Sequence, residues 1–418
     1  MKNIVKIFSS FALITAIVLH ICACGAGKCG GDLSGDITKN PVTGKDADEV
    51  FLTSQWDFAA EIFRQSAAEK GENALVSPLS VMIALAMTAN GAEGETKKQM
   101  ESVLGGTISI EQLNEYLHTY VENLPTSEKA YFSMANSIWV DEPEISVREE
   151  FLQTNADYYD ADVFSERFDG DKTCDKINAW VEENTNGMIK DILNEVPEST
   201  VMFLVNALAF EAEWRTEYAE YSIREADFTE ADGEKVKVEM MHSEEDIYLH
   251  DKNTTGFIKR YQGGYSFVAL LPDEDMTIEE YVASLTGKKL QKLLESREYA
   301  EVNASLPKFE YEYDIQMNGI LQDMGMVDAF DGAIANLSNM GESKNGNLFI
   351  SRVLHKTFIK VDNLGTKAGA ATVVAVDTEG GSLTPPKVVR LDRPFVYMII
   401  DDATNLPIFI GMVTSFEG

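Results

Sequence analysis

Nucleophilic or acid–base catalysis needs a base within reach of its partner, and this chain offers few histidines to supply one. His20, His118, His242, His250 and His355 are all there are, and His20 falls in the signal-like N-terminal stretch. No H-E-x-x-H sets two of them on one helix face for zinc, and there is no G-x-S-x-G elbow or Walker A loop. Ser305-Leu306-Pro307-Lys308 matches the S-x-x-K spacing, but Pro307 intervenes and no S-D-N or K-T-G follows, so the match reads as chance. The acidic pairs Glu244-Glu245 and Asp401-Asp402 read as solvated surface. No two C-x-x-C motifs occur, which argues against a structural zinc site. No metal, no cofactor and no enzymatic activity is expected.

Two polar residues stand where apolar ones are expected. Asn206 sits in the middle of MFLVNALAF (202–210), and His355 lies in VLHKTFIKV (353–361) on the face shared with Val353, Thr357, Ile359 and Val361. Burying either without a partner would cost roughly 2–7 kcal/mol. Each is a satisfied core hydrogen bond or a polar latch in a sheet that must open. A third stretch, GTKAGAATVVAVDTEGG (365–381), has no charge, ring or proline between Ala368 and Val376 and nothing larger than Val. It lies between strand-like segments, so it reads as a loop written in strand residues.

The elements that would position these residues follow from periodicity and caps. Residues 54–70 carry Phe58, Ile62, Phe63 and Ala67 at helical spacing. In SPLSVMIALAMTANG, Ser77 is a natural N-cap, Pro78 takes the first helical position and Gly91 closes the end. Further helices are predicted over 96–104, 110–124 and 175–186. Strands are predicted over 202–210, which is apolar on both faces, and over 267–271 and 353–361. A last pair, 394–400 and 407–414, is joined by the turn DDATNL. Helices early and strands late indicate an α+β fold.

Composition bounds the rest. The 418 residues are 44% hydrophobic and 10% aromatic, enough for a real core. With 69 acidic and 35 basic residues the net charge is −34, which disfavours nucleic acid as a partner. Lys2 and Lys6 precede an apolar run from Ile7 to Leu19, the pattern of a secretory signal over 1–23. Ile21-Cys22-Ala23-Cys24-Gly25 resembles a bacterial lipobox with Cys24 as the lipidated residue. The protein is therefore expected outside the cytoplasm, secreted or anchored to the outer face of a bacterial membrane, with a lipid anchor its sole membrane contact. Cys29 and Cys174 are too few for a disulfide scaffold. Residues 24–47 are rich in Gly, Asp, Lys and Thr without hydrophobic period, and read as a flexible tether to a single domain over 48–418.

Over that domain the sequence resembles a serpin. Asn73-x-x-x-Ser77-Pro78-x-Ser80 with ALAMTANGAEGET (84–96) is similar to one family signature. KINAWVEENTNGMIKDI (176–192), FLVNALAFEAEW (203–214), MMH (240–242), LPKF (306–309) and DRPFVYMIIDDATNLPIFIGMV (392–413) resemble others in the same order. The resemblance implies three mostly antiparallel sheets, eight to nine helices and an exposed reactive-centre loop at about 363–386. It implies a polar "shutter" of Ser77, Ser80, Asn206 and His355. It also implies a "breach" at Trp214 and Asn363, where inhibitory members carry Glu in place of Asn363. Gly365, Thr366, Lys367, Ala368, Gly369, Ala370, Ala371 and Thr372 resemble the hinge. Counting by two then puts Thr366, Ala368, Ala370, Thr372, Val374 and Val376 on one uncharged face, fit to be buried in a sheet.

The implied activity is suicide inhibition of serine proteases, with cysteine proteases as further partners, by a monomer whose cleaved loop inserts into the main sheet. Counting from the hinge glycine puts Glu379–Gly380 at the scissile position, with Thr378–Glu379 one residue earlier. The small aliphatic residues up to Val376 favour an elastase-like enzyme, whereas Asp377 or Glu379 would suit an acid-specific one. The alternative is a non-inhibitory serpin-fold binding or carrier protein at the cell surface.

Overall fold

A computed structural model describes residues 31–35, 37–141, 145–197, 200–344, 346–366 and 385–416. Its helices are α1 (Glu49–Lys70), α2 (Pro78–Ala89), α3 (Gly94–Gly105), α4 (Ile110–Asn123), α5 (Glu149–Tyr159), α6 (Gly170–Asn184), α7 (Ile278–Ala283), α8 (Gly287–Glu295) and α9 (Asn318–Asp323). Its early strands are β1 (Ala74–Val76), β2 (Ala130–Asp141), β3 (Ile145–Val147), β4 (Asp162–Glu166), β5 (Met202–Glu213), β6 (Ile223–Thr229), β7 (Lys235–His250), β8 (Thr254–Arg260) and β9 (Tyr265–Pro272). The later ones are β10 (Glu298–Pro307), β11 (Phe309–Gln316), β12 (Gly341–Ser343), β13 (Arg352–Val361), β14 (Gly365–Thr366), β15 (Lys387–Arg390), β16 (Phe395–Asp401) and β17 (Pro407–Val413).

The strands form three sheets, as expected. One runs β11-β13-β14-β5-β2-β4; a second runs β1-β17-β16-β9-β8-β7-β10-β15 with β6 beside β7; β12 and β3 make the third. Pairing is antiparallel except for β13–β5, β2–β4 and β10–β15. The helix α2 is buried at all twelve positions, the pattern of a helix enclosed by core, and it packs against β2, β5 and β17. Its start is as the caps predict: the Ser77 side chain accepts from the Ser80 N–H and Pro78 occupies the first position. Asn73 fixes the segment before it to the C-terminal end of the chain. Its side-chain Oδ1 accepts from the Thr414 N–H (2.6 Å) and the Ser415 N–H (3.1 Å).

Besides elements not individually expected, such as β7, β10 and β11, three features depart from expectation. The helix α1 begins ahead of residue 54 because Asp48 caps it, accepting from the Phe51 N–H. The long strand β2 was not anticipated. The third concerns the expected tether: residues 31–35 and 37–47 lie against the body. The Leu33 N–H donates to Val163 O (2.9 Å) and the Ser165 N–H to Gly31 O (2.8 Å), so this segment covers the outer edge of β4. Leu33 and Ile37 pack on the core, Asn40 bonds Asp157, and the Lys45 N–H donates to Glu115 O on α4. A segment without hydrophobic period can still be ordered, because backbone groups make most of these bonds.

Candidate functional site

The two polar residues singled out in apolar strands meet beneath the six-stranded sheet. His355 on β13 and Asn206 on β5 are paired in register, and β13 and β5 pair directly and in parallel from Arg352↔Phe203 to Thr357↔Leu208. The Ser77 N–H donates to His355 Nε2 (3.1 Å). That nitrogen is therefore unprotonated, and Nδ1–H is left to donate to Asn206 Oδ1 (2.6 Å). Asn206 Nδ2 in turn donates to Ser80 Oγ and to Asn136 Oδ1 (2.6 Å). All four expected residues are buried and hydrogen-bonded to one another or through α2, and burial pushes the His355 pKa down to about 3. Asn136 was missed. It too is a polar residue within a strand, directly across from Asn206 on β2.

Higher in the same sheet, β13 turns back into β14. The Asp362 N–H donates to Gly365 O (2.9 Å), and the Asp362 carboxylate accepts from the Leu364 N–H (2.8 Å). β14 then lies between its neighbours: Thr366 pairs with Val361 on one side and Ala212 on the other, and Gly365 with Glu213. A Cβ at Gly365 would come within 2.0 Å of Ala212 O, so only glycine fits. Thr366 is 1% exposed and its hydroxyl shares a 2.6 Å hydrogen bond with the Tyr261 hydroxyl. Tyr261 stacks on Trp214, with centroids 4.2 Å apart. The backbone N–H of Trp214 donates to Leu364 O (2.8 Å) and its ring N–H to Asp362 O (2.8 Å). The Tyr218 N–H holds Asn363 O (3.0 Å), so Asn363 is fixed through its backbone. Tyr218 and Tyr261 escaped the sequence reading, since neither position carries a local signal.

Hinge residues from Lys367 to Thr372, and the scissile-bond candidates Val376, Asp377, Thr378, Glu379 and Gly380, lie outside the described residues, as do Cys24 and Cys29. Cys174 is buried on α6, and burial raises its thiol pKa. The S-x-x-K match brings no chemistry together. Ser305 Oγ bonds His242 (2.9 Å), whereas Lys308 pairs with Glu239 (3.3 Å). The acidic pairs are corrected: Asp401 is buried and binds its own turn, and Glu245 pairs with a buried lysine. Among the described residues no group of three or more His, Cys, Asp and Glu side chains is placed to hold a metal ion.

Comparison with known proteins fits this geometry. The family model for Serpin (serine protease inhibitor) matches residues 53–416. The plasma serine protease inhibitor of Bos taurus is 30% identical over 369 residues, 86% of this chain and 89% of its own. The native state of the thermophilic serpin tengpin is 51% identical with a TM-score of 0.88, covering 92% of this chain and 99% of that one. Tengpin in its latent state matches less well, at 0.79 with 47% identity, covering 90% of this chain and 100% of that one. The chain belongs to the serpin family, a family of serine protease inhibitors in general.

Proposed function

We propose that this protein is a suicide-substrate inhibitor of serine proteases, elastase-like ones first among them. The observation that carries the reading is β14: the first two residues of the hinge already lie between β5 and β13, buried and in antiparallel register with β5. Continued in that register, Ala368, Ala370, Thr372, Val374 and Val376 would fall opposite Phe210, Leu208, Asn206, Leu204 and Met202. β5 is 12 residues long, so Val376 would meet its first residue and Gly365 its last. A cut after Asp377, Thr378 or Glu379 would therefore free a strand long enough to fill the sheet. Thr372 would arrive between Asn206 and His355. Those two must then separate by one further strand, roughly 4.8 Å, and give up their direct bond. That hydrogen bond acts as a latch on a kinetically trapped state.

In this reading the mechanism runs as follows. A protease acylated by the loop is carried away as the strand inserts, before water releases it. An elastase-like pocket accepts the Val376 or Thr378 side. In the same reading the protein works as a monomer, exported by residues 1–23 and held at a bacterial surface by a lipid on Cys24. The test is incubation with a panel of elastase-like, acid-specific and trypsin-like proteases. A complex stable in denaturant should form with the first group. Mass spectrometry of the released C-terminal peptide fixes the cut, and the cleaved inhibitor should melt well above the intact one. A cleaved chain beside fully active protease, with an unchanged melting temperature, would refute the reading.

A further inference from the structure

Charged pairs seldom sit behind an aromatic cluster, yet one does so at the upper end of the main sheet. Lys259 on β8 and Glu245 on β7 have side chains only 3% and 11% exposed, and they meet at 2.8 Å. Ser243 Oγ donates to the same carboxylate oxygen (2.7 Å). The ammonium also lies over two rings, 4.3 Å from the centroid of Tyr218 and 5.4 Å from that of Trp214. Those rings meet edge to face, and their backbone and indole N–H groups are the donors that hold the carbonyls of Asp362, Asn363 and Leu364. Through the Trp214–Tyr261 stack the same cluster reaches the buried hydroxyl of Thr366.

Burying an ion pair usually gains nothing over a well-packed apolar pair, because desolvation offsets the Coulomb attraction. Stability alone therefore does not account for Lys259. A desolvated cation over an aromatic face does fix that face in position. Two such faces here carry the donors that hold the turn where the sheet must first part.

We propose that Lys259, held by Glu245, is a positioning residue that sets how readily the upper end of the sheet admits a strand. It does so by fixing Tyr218 and Trp214 against the 362–364 turn. The proposal rests on the strand-insertion reading above. It requires that loosening the two rings speeds entry of a strand, even in a protein whose overall stability is unchanged.

The probe is a labelled synthetic peptide with the sequence of residues 366–376, added to the full-length inhibitor with its loop intact. Uptake is followed by native gel and intact mass. Lys259→Met should take up the peptide roughly tenfold faster than the parent, the scale of one desolvated cation–π contact. Because that variant strands Glu245, the deciding protein is the double substitution Lys259→Met with Glu245→Leu. An apolar pair there should keep the melting temperature near the parent's and still admit the peptide faster, with altered Trp214 emission. A double variant of matched melting temperature and unchanged uptake overturns the proposal. A parent that never takes up the peptide instead overturns the strand-insertion reading beneath it.

Discussion

Acid should weaken this protein through a single buried imidazole. His355 is 1% exposed, and its Nε2 accepts from the Ser77 N–H, so a proton there would set two donors against each other. Folding lowers its pKa from 6.5 to about 3 through burial alone. The unfolded chain therefore binds a proton between those values that the folded chain refuses, and stability falls as pH drops through 6.5 toward 3. Above 6.5 both states are neutral and the effect vanishes. At about pH 5 the unfolded imidazole is some 1.5 units below its own pKa, which is worth about 2 kcal/mol. If the whole effect falls on the unfolding barrier, the rate rises roughly thirtyfold. The assay is the urea-induced unfolding rate at about pH 7.5 and about pH 5 for the parent and for His355→Gln, which keeps a donor and an acceptor but cannot titrate. Carboxylates contribute equally to both proteins, so the difference between them isolates His355. Equal acceleration in parent and variant would refute the argument.

Two further outcomes follow from the geometry. Thr366→Arg would place a guanidinium where the side chain is buried against Tyr261, a desolvation of several kcal/mol. Covalent complex formation should give way to simple cleavage of the loop, and cleavage should no longer raise the melting temperature; undiminished inhibition on a gel would contradict the assigned face. Deleting residues 31–44 should uncover the β4 edge together with the sites of Leu33 and Ile37. Light scattering on heating should then begin at a lower temperature, because an open edge templates association. A shortened chain that stays monodisperse to the parent's melting point would argue against that role.

What the sequence discloses of this site depends on how local its signals are. Ser77 and Pro78 announce a helix start because cap chemistry is confined to one turn. Asn206 and His355 stand out because a polar residue inside an apolar strand is anomalous on its own. Lys259 passes unseen and Glu245 is misread as solvated surface, because a charged residue defaults to the surface and burial arises only once β7 and β8 lie side by side under Trp214. The N-terminal segment is misread for a related reason. Its bonds run from its own backbone to β4 and α4, more than a hundred and about seventy positions away, and composition carries no trace of them.

That segment changes how far the protein can stray from any anchor. Twenty-four slack residues, 24–47, would let it roam to about 80 Å from a lipidated Cys24. With residues 31–35 and 37–47 laid against β4, α5 and α4, most of that slack is taken up. Were Cys24 to carry a lipid, the domain would sit close to its membrane and meet proteases that come to the cell surface rather than those passing at a distance.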